Sequence, residues 1–271
     1  MKALRMLAWS LRLDCRLLFS VRGLPILAKL ALILRKYCHY LIARSTGPAQ
    51  RCTTVFGATF CCEDALGLAS LQRVYCDSYR LKEYLPARPV VIDVGANIGQ
   101  FAFFARQYLE AARVVSVEPL PESNRMLLRN APEPGDCLCC AVSDREGSVV
   151  FHVAQETTQL SSYVPEPDDV YSASHTVAAR TLDAIAAELG VGEVDLLKID
   201  TEGSEYDVLR SGRELLGRCR FVLVEMSVFR NCSGNLFSIG AFLKEQGFEL
   251  VALSPCGQEH PRDLDGLFKR V

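Results

Sequence analysis

The chain has 271 residues, of which 49% are hydrophobic and 23% charged, a globular composition with length for one α/β domain and an appendage. A net charge of −2 excludes the large cationic excess with which a general nucleic-acid binder displaces counterions from phosphates. Twelve cysteines do not demand a disulfide framework in a chain with this much core. With no small-residue secretory cleavage site in view, they read as thiols of a reducing, cytoplasmic compartment. Cys137 and Cys140 form a CxxC in an apolar run without a second ligand pair at zinc spacing, so they read as strand-core thiols.

The charge is unevenly spread. Residues 1–47 hold nine Lys or Arg and one acid, Asp14, so this segment is +8 and the rest of the chain −10. From Lys2 to Arg16, the polar positions Lys2, Arg5, Trp9, Arg12 and Arg16 fall near one helical stripe, with Leu4, Leu7, Ala8, Leu11 and Leu18 opposite. This is a basic amphipathic helix. A second apolar run, Leu24 to Leu34, contains Lys29 and stops at Arg35 and Lys36, short of the ~20 residues a bilayer span needs. Two readings stay open: a peripheral membrane anchor, or helices that pack on the core, on a partner or on a second copy. Ser45-Thr46-Gly47-Pro48 marks the boundary, and residues 48–84 form a lead-in with helical spacing over Leu68 to Leu85 and no catalytic signature.

From residue 85 to 271, strand and helix patterns alternate. Pro89 to Val94 is a β-branched strand that breaks at Gly95 and Gly99 and runs into a helix over Phe101 to Leu109. Val114 to Glu118 is a second strand, followed by Pro119-Leu120-Pro121 and a helix to Asn130, which completes a βαβ unit. Cys137 to Ser143 reads as a third strand, Ser148 to Val153 as a hairpin partner or a switch to another sheet, and 154–174 as a loop long enough to be a lid. Then follow the helix Leu182 to Leu189, strand Val194 to Asp200, strand Phe221 to Glu225, helix Phe237 to Gln246, and strands Phe248 to Leu253 and Leu267 to Val271. The pattern predicts a doubly wound, mostly parallel sheet with its ligands at the carboxyl ends of the strands.

Those strand ends carry the chemistry. The Gly95-x-x-x-Gly99 turn lacks the middle glycine of a dinucleotide fingerprint and has Asn97 instead. Asp93 at the first strand end is awkward beside a pyrophosphate and suits a cationic ammonium, as in S-adenosyl-L-methionine (SAM). Glu118, 25 residues further on at the end of the second strand, is placed to accept hydrogen bonds from both hydroxyls of a ribose, a feature NAD would satisfy equally.

Four blocks together resemble the FkbM family of SAM-dependent O-methyltransferases. They are Val91-Ile92-Asp93-Val94-Gly95-Ala96-Asn97-Ile98-Gly99, Ala141-Val142-Ser143-Asp144 with Gly147, Thr181-Leu182-Asp183, and Lys198-Ile199-Asp200-Thr201-Glu202-Gly203-Ser204-Glu205. The resemblance covers residues 85–271 and leaves 1–47 unassigned. It implies a seven-stranded, Rossmann-like methyltransferase sheet with SAM across the first two strand ends, and methylation of a hydroxyl on a sugar, glycan, glycolipid or secondary metabolite. It also places Asp93, Gly95, Ala96, Asn97 and Gly99 on the methionine side, Glu118 and Pro119 at the ribose, Val142 and Ser143 beside the adenine, and Ser161 and Ser162 near the acceptor.

Methyl transfer from a sulfonium is an in-line displacement from an activated leaving group, so alignment supplies most of the catalysis, but an alcohol must still lose its proton. Asp200 or Glu202, at the end of the fourth strand, is the candidate base, with Lys198 fixing their charge; Asp200 also counts among the cofactor contacts and Glu225 among the acceptor contacts. The competing role for Asp200 is to orient SAM, for Glu202 to cap the next helix, and for Glu205 to serve as a first-turn acid. His152 and His175 sit in strand-like runs and read as structural, and no metal is expected from these acids. Two other functions compete: an NAD-linked oxidoreductase or epimerase, and a non-catalytic SAM-binding module that recruits a partner through its first helices.

Overall fold

The computed structural model describes residues 2–46, 50–63, 65–131, 136–154, 171–228, 235–255 and 263–271. Two helices lead, α1 (Lys2–Phe19) and α2 (Ile26–Thr46), followed by the hairpin β1 (Arg51–Val55) and β2 (Ala58–Cys62) and the helix α3 (Ala65–Ser78) with a 3₁₀ turn at Tyr79–Glu83. The second helix runs twelve residues past the apolar stretch that announces it. It can do so because its cations face inward: the buried Lys36 pairs with Asp14, and the buried Lys29 donates to the carbonyls of Leu18 and Val21.

The core alternates as the sequence predicts: β3 (Val90–Val94), α4 (Gln100–Gln107), β4 (Arg113–Val117), α5 (Pro121–Asn130) and β5 (Cys137–Leu138). A short β6 (Ala141–Val142) and the long β7 (Gly147–Ala154) and β8 (Tyr171–Arg180) follow. After α6 (Leu182–Glu188) come β9 (Val194–Ile199), α7 (Glu205–Ser211), α8 (Arg213–Leu216), β10 (Cys219–Ser227), α9 (Leu236–Glu245), β11 (Phe248–Pro255) and β12 (Asp263–Arg270).

Seven strands form one sheet in the order β11-β12-β10-β9-β3-β4-β5, parallel except for β12, which runs antiparallel between β10 and β11. The chain reverses its direction of winding between β3 and β9, which opens a crevice at their carboxyl ends. The expected single strand over Cys137 to Ser143 is divided. Its first two residues close the main sheet, and β6 pairs with β8 in a separate sheet of order β6-β8-β7. Tyr171 to Ser174, expected as loop, belongs to β8, and the remainder of that loop, 155–170, lies outside the described residues.

Because side chains alternate along a strand, each central strand feeds two cores. Val91, Val114, Leu196 and Phe221 face one side, where they pack with Leu13 and Leu17 of α1, Leu32 of α2, Phe60 of the hairpin, Tyr75 of α3 and Phe104 of α4. Ile92, Val115, Leu197 and Val222 face the other, against α6 to α9. The first three helices therefore share a core with the sheet.

The cysteines depart from expectation at one place. Cys52 and Cys61 stand opposite each other in the β1–β2 hairpin and form a disulfide, where sequence reasoning foresees only thiols. Cys137, Cys139 and Cys140 are free thiols, and burial pushes that of Cys140 up to about 11.

Candidate active site

The two-residue period decides which side chains meet at the crevice. Asp93 lies two residues beyond Val91, Lys198 two beyond Leu196, and Glu225 four beyond Phe221, so all three end their strands on the face that α3 and α4 cover. Asp93 and Lys198 are register partners across β3 and β9. The Lys198 Nζ is 3.1 Å from Asp93 Oδ1, 3.4 Å from Asp200 Oδ2 and 3.4 Å from the Gly95 carbonyl, to which it donates. Burial alone would lower the lysine's pKa; Asp93 and Asp200 outweigh it and hold the ammonium above its ordinary value. Asp93 is wholly buried, and burial pushes its carboxyl up against the pull of Lys198. The ion pair is its compensation, since neither of its oxygens meets a well-directed hydrogen bond. The cation that Asp93 faces is thus internal.

Gly95 is required by a close approach. Its φ is +79°, and a Cβ added there would lie 1.8 Å from the Asp200 carbonyl oxygen, so only glycine lets the turn after β3 touch the end of β9. The turn is held by Val117, whose carbonyl accepts from the N–H groups of Gly95 and Ala96, and by Glu118. Asn97 sits in the left-handed region at φ 50° and donates its N–H to Glu118 Oε2 at 2.8 Å, while Leu120 donates to Oε1 at 3.0 Å. Glu118 is buried, and desolvation raises its carboxyl to about 7 despite those two donors. Asn130 ties the same turn to the disulfide hairpin: its amide donates to the carbonyls of Ile98 and Cys61 and accepts from the Cys61 N–H at 2.7 Å.

On the far side of the crevice, Glu205 folds back over its own loop and accepts from the N–H groups of Thr201 and Gly203 at 3.0 and 2.9 Å. It laces the turn in which Glu202 adopts φ 56°. The Thr181-Leu182-Asp183 block is structural: Thr181 caps α6, and Asp183 accepts the first N–H groups of α8 from Glu214 and Leu215.

A pocket of about 140 Å³ opens over this face, lined by Gly95, Ala96, Asn97, Lys198, Asp200, Glu202, Glu225 and Asp265. Its opposite wall is α3, through Ser70, Arg73, Val74, Asp77 and Ser78. Asp200, Glu202 and Glu225 bring carboxylate oxygens within 4.8 Å of one another, a spacing that one cation or one donor hydroxyl can bridge. Burial, followed by the charges of Asp200 and Glu202, raises the Glu225 carboxyl well above its ordinary value. A smaller depression borders Gly95 on the other side, lined by Val94, Val117, Pro119, Cys140, Ala141, Val142, Phe151, Thr201 and Ser204.

The predicted site residues therefore fall into three groups. Gly95, Ala96, Asn97, Asp200, Glu202 and Glu225 line the main pocket, and Pro119 and Val142 line the lesser one. Asp93, Gly99, Glu118 and Ser143 lie beneath as supports: Gly99 packs at φ 90° against Leu127, and Ser143 donates its N–H to the Arg180 carbonyl. Ser161 and Ser162 lie outside the described residues. His152 and His175 stand on β7 and β8, away from both pocket linings. The α3 wall and Asp265 were not foreseen. The i,i+4 pair Arg73 and Asp77 is the only local signal α3 offers, and it is the ordinary mark of a solvated helix face.

The strand order, the antiparallel β12 and the glycine turn facing an acid-rich β9 end are the plan of a class I methyltransferase, whose methyl donor is SAM. A model of the methyltransferase FkbM domain matches residues 93–250, and the chain belongs to the FkbM methyltransferase family. It is 30% identical over 187 residues to the 2-O-methyltransferase NoeI of Sinorhizobium fredii, a match covering 63% of this chain and 76% of that protein. It is 29% identical over 215 residues to the 31-O-demethyl-FK506 methyltransferase FkbM of Streptomyces tacrolimicus, covering 67% of this chain and 81% of that one. Among solved structures, the methyltransferase FkbM from Methylobacillus flagellatus aligns with a TM-score of 0.45 at 13% identity, over 87% of this chain and 60% of the other. Methyl transfer therefore takes the place of the NAD-linked alternative and of a purely recruiting module.

The residues fit SAM. The glycine cradle that a Cβ would fill borders both depressions, the main pocket is acidic, and Glu118 lies below the turn between them.

Proposed function

We propose that this enzyme methylates a hydroxyl oxygen on a sugar, glycan, glycolipid or secondary metabolite. The observation that carries this reading is the convergence of the Asp200, Glu202 and Glu225 carboxylates on the pocket bordered by the glycine turn. The two relatives, a 2-O-methyltransferase and a 31-O-demethyl-FK506 methyltransferase, agree with it. When bound, SAM supplies a methyl group on a positively charged sulfur.

In this reading, Gly95, Ala96, Asn97 and Gly99 shape the methionine side, Glu118 with Pro119 takes the ribose, and Val142 with Ser143 the adenine. Asp93 acts through Lys198, which also pairs with Asp200 and holds it at the pocket floor. Asp200 or Glu202 receives the proton of the acceptor hydroxyl as its bond to the methyl carbon forms and the carbon–sulfur bond breaks. Glu225, raised by burial and then by its acidic neighbours, shares that proton or holds a second hydroxyl of the acceptor. Ser161 and Ser162 complete the acceptor side.

The test is a turnover screen. The full chain with SAM is offered free sugars, glycosides and glycolipids alongside amine and carbon-acid acceptors, and S-adenosylhomocysteine release is followed together with the position methylated. Transfer to oxygen that falls in Glu202→Gln supports the reading; transfer only to nitrogen or carbon acceptors overturns it.

A further inference from the structure

The polarity of α2 is inverted. Its three charged residues between positions 26 and 42 all turn toward the protein: Lys29 and Lys36 are 6% and 3% exposed, and Arg35 donates to the Thr54 carbonyl. Its outward arc carries Ile26, Leu27, Leu30, Leu34, Leu41 and Ile42, with Leu27, Leu34 and Leu41 at 76%, 65% and 64% exposure. Leu27, Leu30, Leu34 and Leu41 recur at helical spacing, and the exposed Cys38 falls in the same row. Phe19 is 84% exposed at the end of α1, next to the turn into α2, and Leu7 and Leu11 are exposed along α1. A helix in water turns its lysines outward and its leucines inward; this one buries its lysines beside Leu32 and turns most of its leucines outward, which is the arrangement for a helix with an apolar medium on its outer side.

Two features choose the occupant. No helix among the described residues is long and apolar enough to cross a membrane, so the surface suits a contact lying along a bilayer. Arg12 of α1 and Arg22 in the turn after it are exposed, and the one acid of residues 1–47, Asp14, is buried against Lys36. A second copy packed face to face would bring these exposed arginines together with no acid to answer them, whereas anionic headgroups complement them.

We propose that the outer face of α1 and α2 is an interfacial membrane-binding surface, with the row from Leu27 to Leu41 and Phe19 among the acyl chains and the arginines at anionic headgroups. The surface is wired to the pocket. Arg16 of α1 pairs at 2.6 Å with Asp77, which lines the α3 wall, and Asp14 accepts from Gln72 of α3 and pairs with Lys36 of α2. A membrane-bound enzyme would thus hold its acceptor pocket at a fixed attitude to the bilayer.

Trp9, the only tryptophan of the chain, is exposed on α1 and reports the contact. The full chain is mixed with vesicles of phosphatidylcholine alone and of equal parts phosphatidylcholine and phosphatidylglycerol, and Trp9 emission and co-sedimentation are followed. The expected result is a blue shift and sedimentation with the mixed vesicles, weakened about tenfold or more in L27E/L34E and in L27S/L34S, both of which keep SAM binding. The proposal is overturned by no uptake on mixed vesicles, by uptake that both variants retain, or by a dimer in light scattering that the variants split while vesicles take up neither form.

Discussion

Lys198 and Asp93 stand side by side in adjacent parallel strands, with Nζ and Oδ1 3.1 Å apart, and the aspartate has no exposed surface. A buried pair of this kind is weak evidence for net stability, but removing one partner strands the other. Lys198→Met is expected to cost about 3 kcal/mol in urea unfolding at neutral pH, and Lys198→Met with Asp93→Asn to recover part of it. A double-variant loss equal to the sum of the losses in Lys198→Met and Asp93→Asn alone would show that the pair is not coupled.

Glu118 sets a pH dependence. Its folded-state carboxyl lies near 7, above the ordinary 4.5, so the folded protein keeps this proton longer than the unfolded chain does. The stabilisation from that proton is complete below about pH 4.5 and lost as pH rises through about 7, roughly 3 kcal/mol in all. The SAM-free protein should therefore weaken over this window, and Glu118→Gln should flatten the trend. SAM affinity should rise over the same window if the ionised carboxylate accepts the ribose hydroxyls, which calorimetry at several pH values checks.

Gly95 and Gly57 both have positive φ, but only Gly95 touches a neighbouring backbone. Gly57→Ala should cost about 1 kcal/mol, the strain of a left-handed alanine. Gly95→Ala should cost about 3 kcal/mol or more and abolish SAM binding, because the Asp200 carbonyl must move. Thermal unfolding and SAM titration of both variants separate backbone strain from close approach.

Glu202→Gln and Asp200→Asn should lower kcat about 10²- to 10⁴-fold, with SAM affinity nearly unchanged for Glu202→Gln. Chelation with EDTA should leave turnover unchanged if protons, and not a cation, occupy the space among Asp200, Glu202 and Glu225. Loss of turnover restored by magnesium would put a metal there.

The Cys52–Cys61 bridge closes a short loop, and Cys52→Ser should lower stability by about 2–3 kcal/mol in non-reducing buffer. Because Asn130 joins Cys61 to the Ile98 carbonyl, the same variant should also weaken SAM binding. Unfolding and SAM titration with and without dithiothreitol measure both effects.

What was legible in the sequence was what local pattern encodes. Buried β-branched runs gave the central strands, the Gly95 and Gly99 turn gave the cradle, and acids at strand ends gave Asp200, Glu202 and Glu225. What was hidden depends on distant partners. Nothing near Asp93 says that its cation is Lys198, 105 residues away, because register across β3 and β9 makes the pair. The break after Leu138 was illegible because both halves are apolar and differ only in which sheet they join. α2 was read as short because its lysines looked like an end signal, and their partners Asp14, Leu18 and Val21 lie on the preceding helix and turn. Cys52 and Cys61 were indistinguishable from ten other cysteines until the hairpin set them opposite.

The wall that α3 contributes has a consequence for how new substrates arise. The family domain spans residues 93–250, whereas Ser70, Arg73 and Asp77 precede it in the chain. One wall of the pocket is thus written in a stretch of sequence that precedes the family domain. Residues 70–78 can therefore change, and reshape that wall, without any change in the glycine turn or in the acids at the ends of β9 and β10.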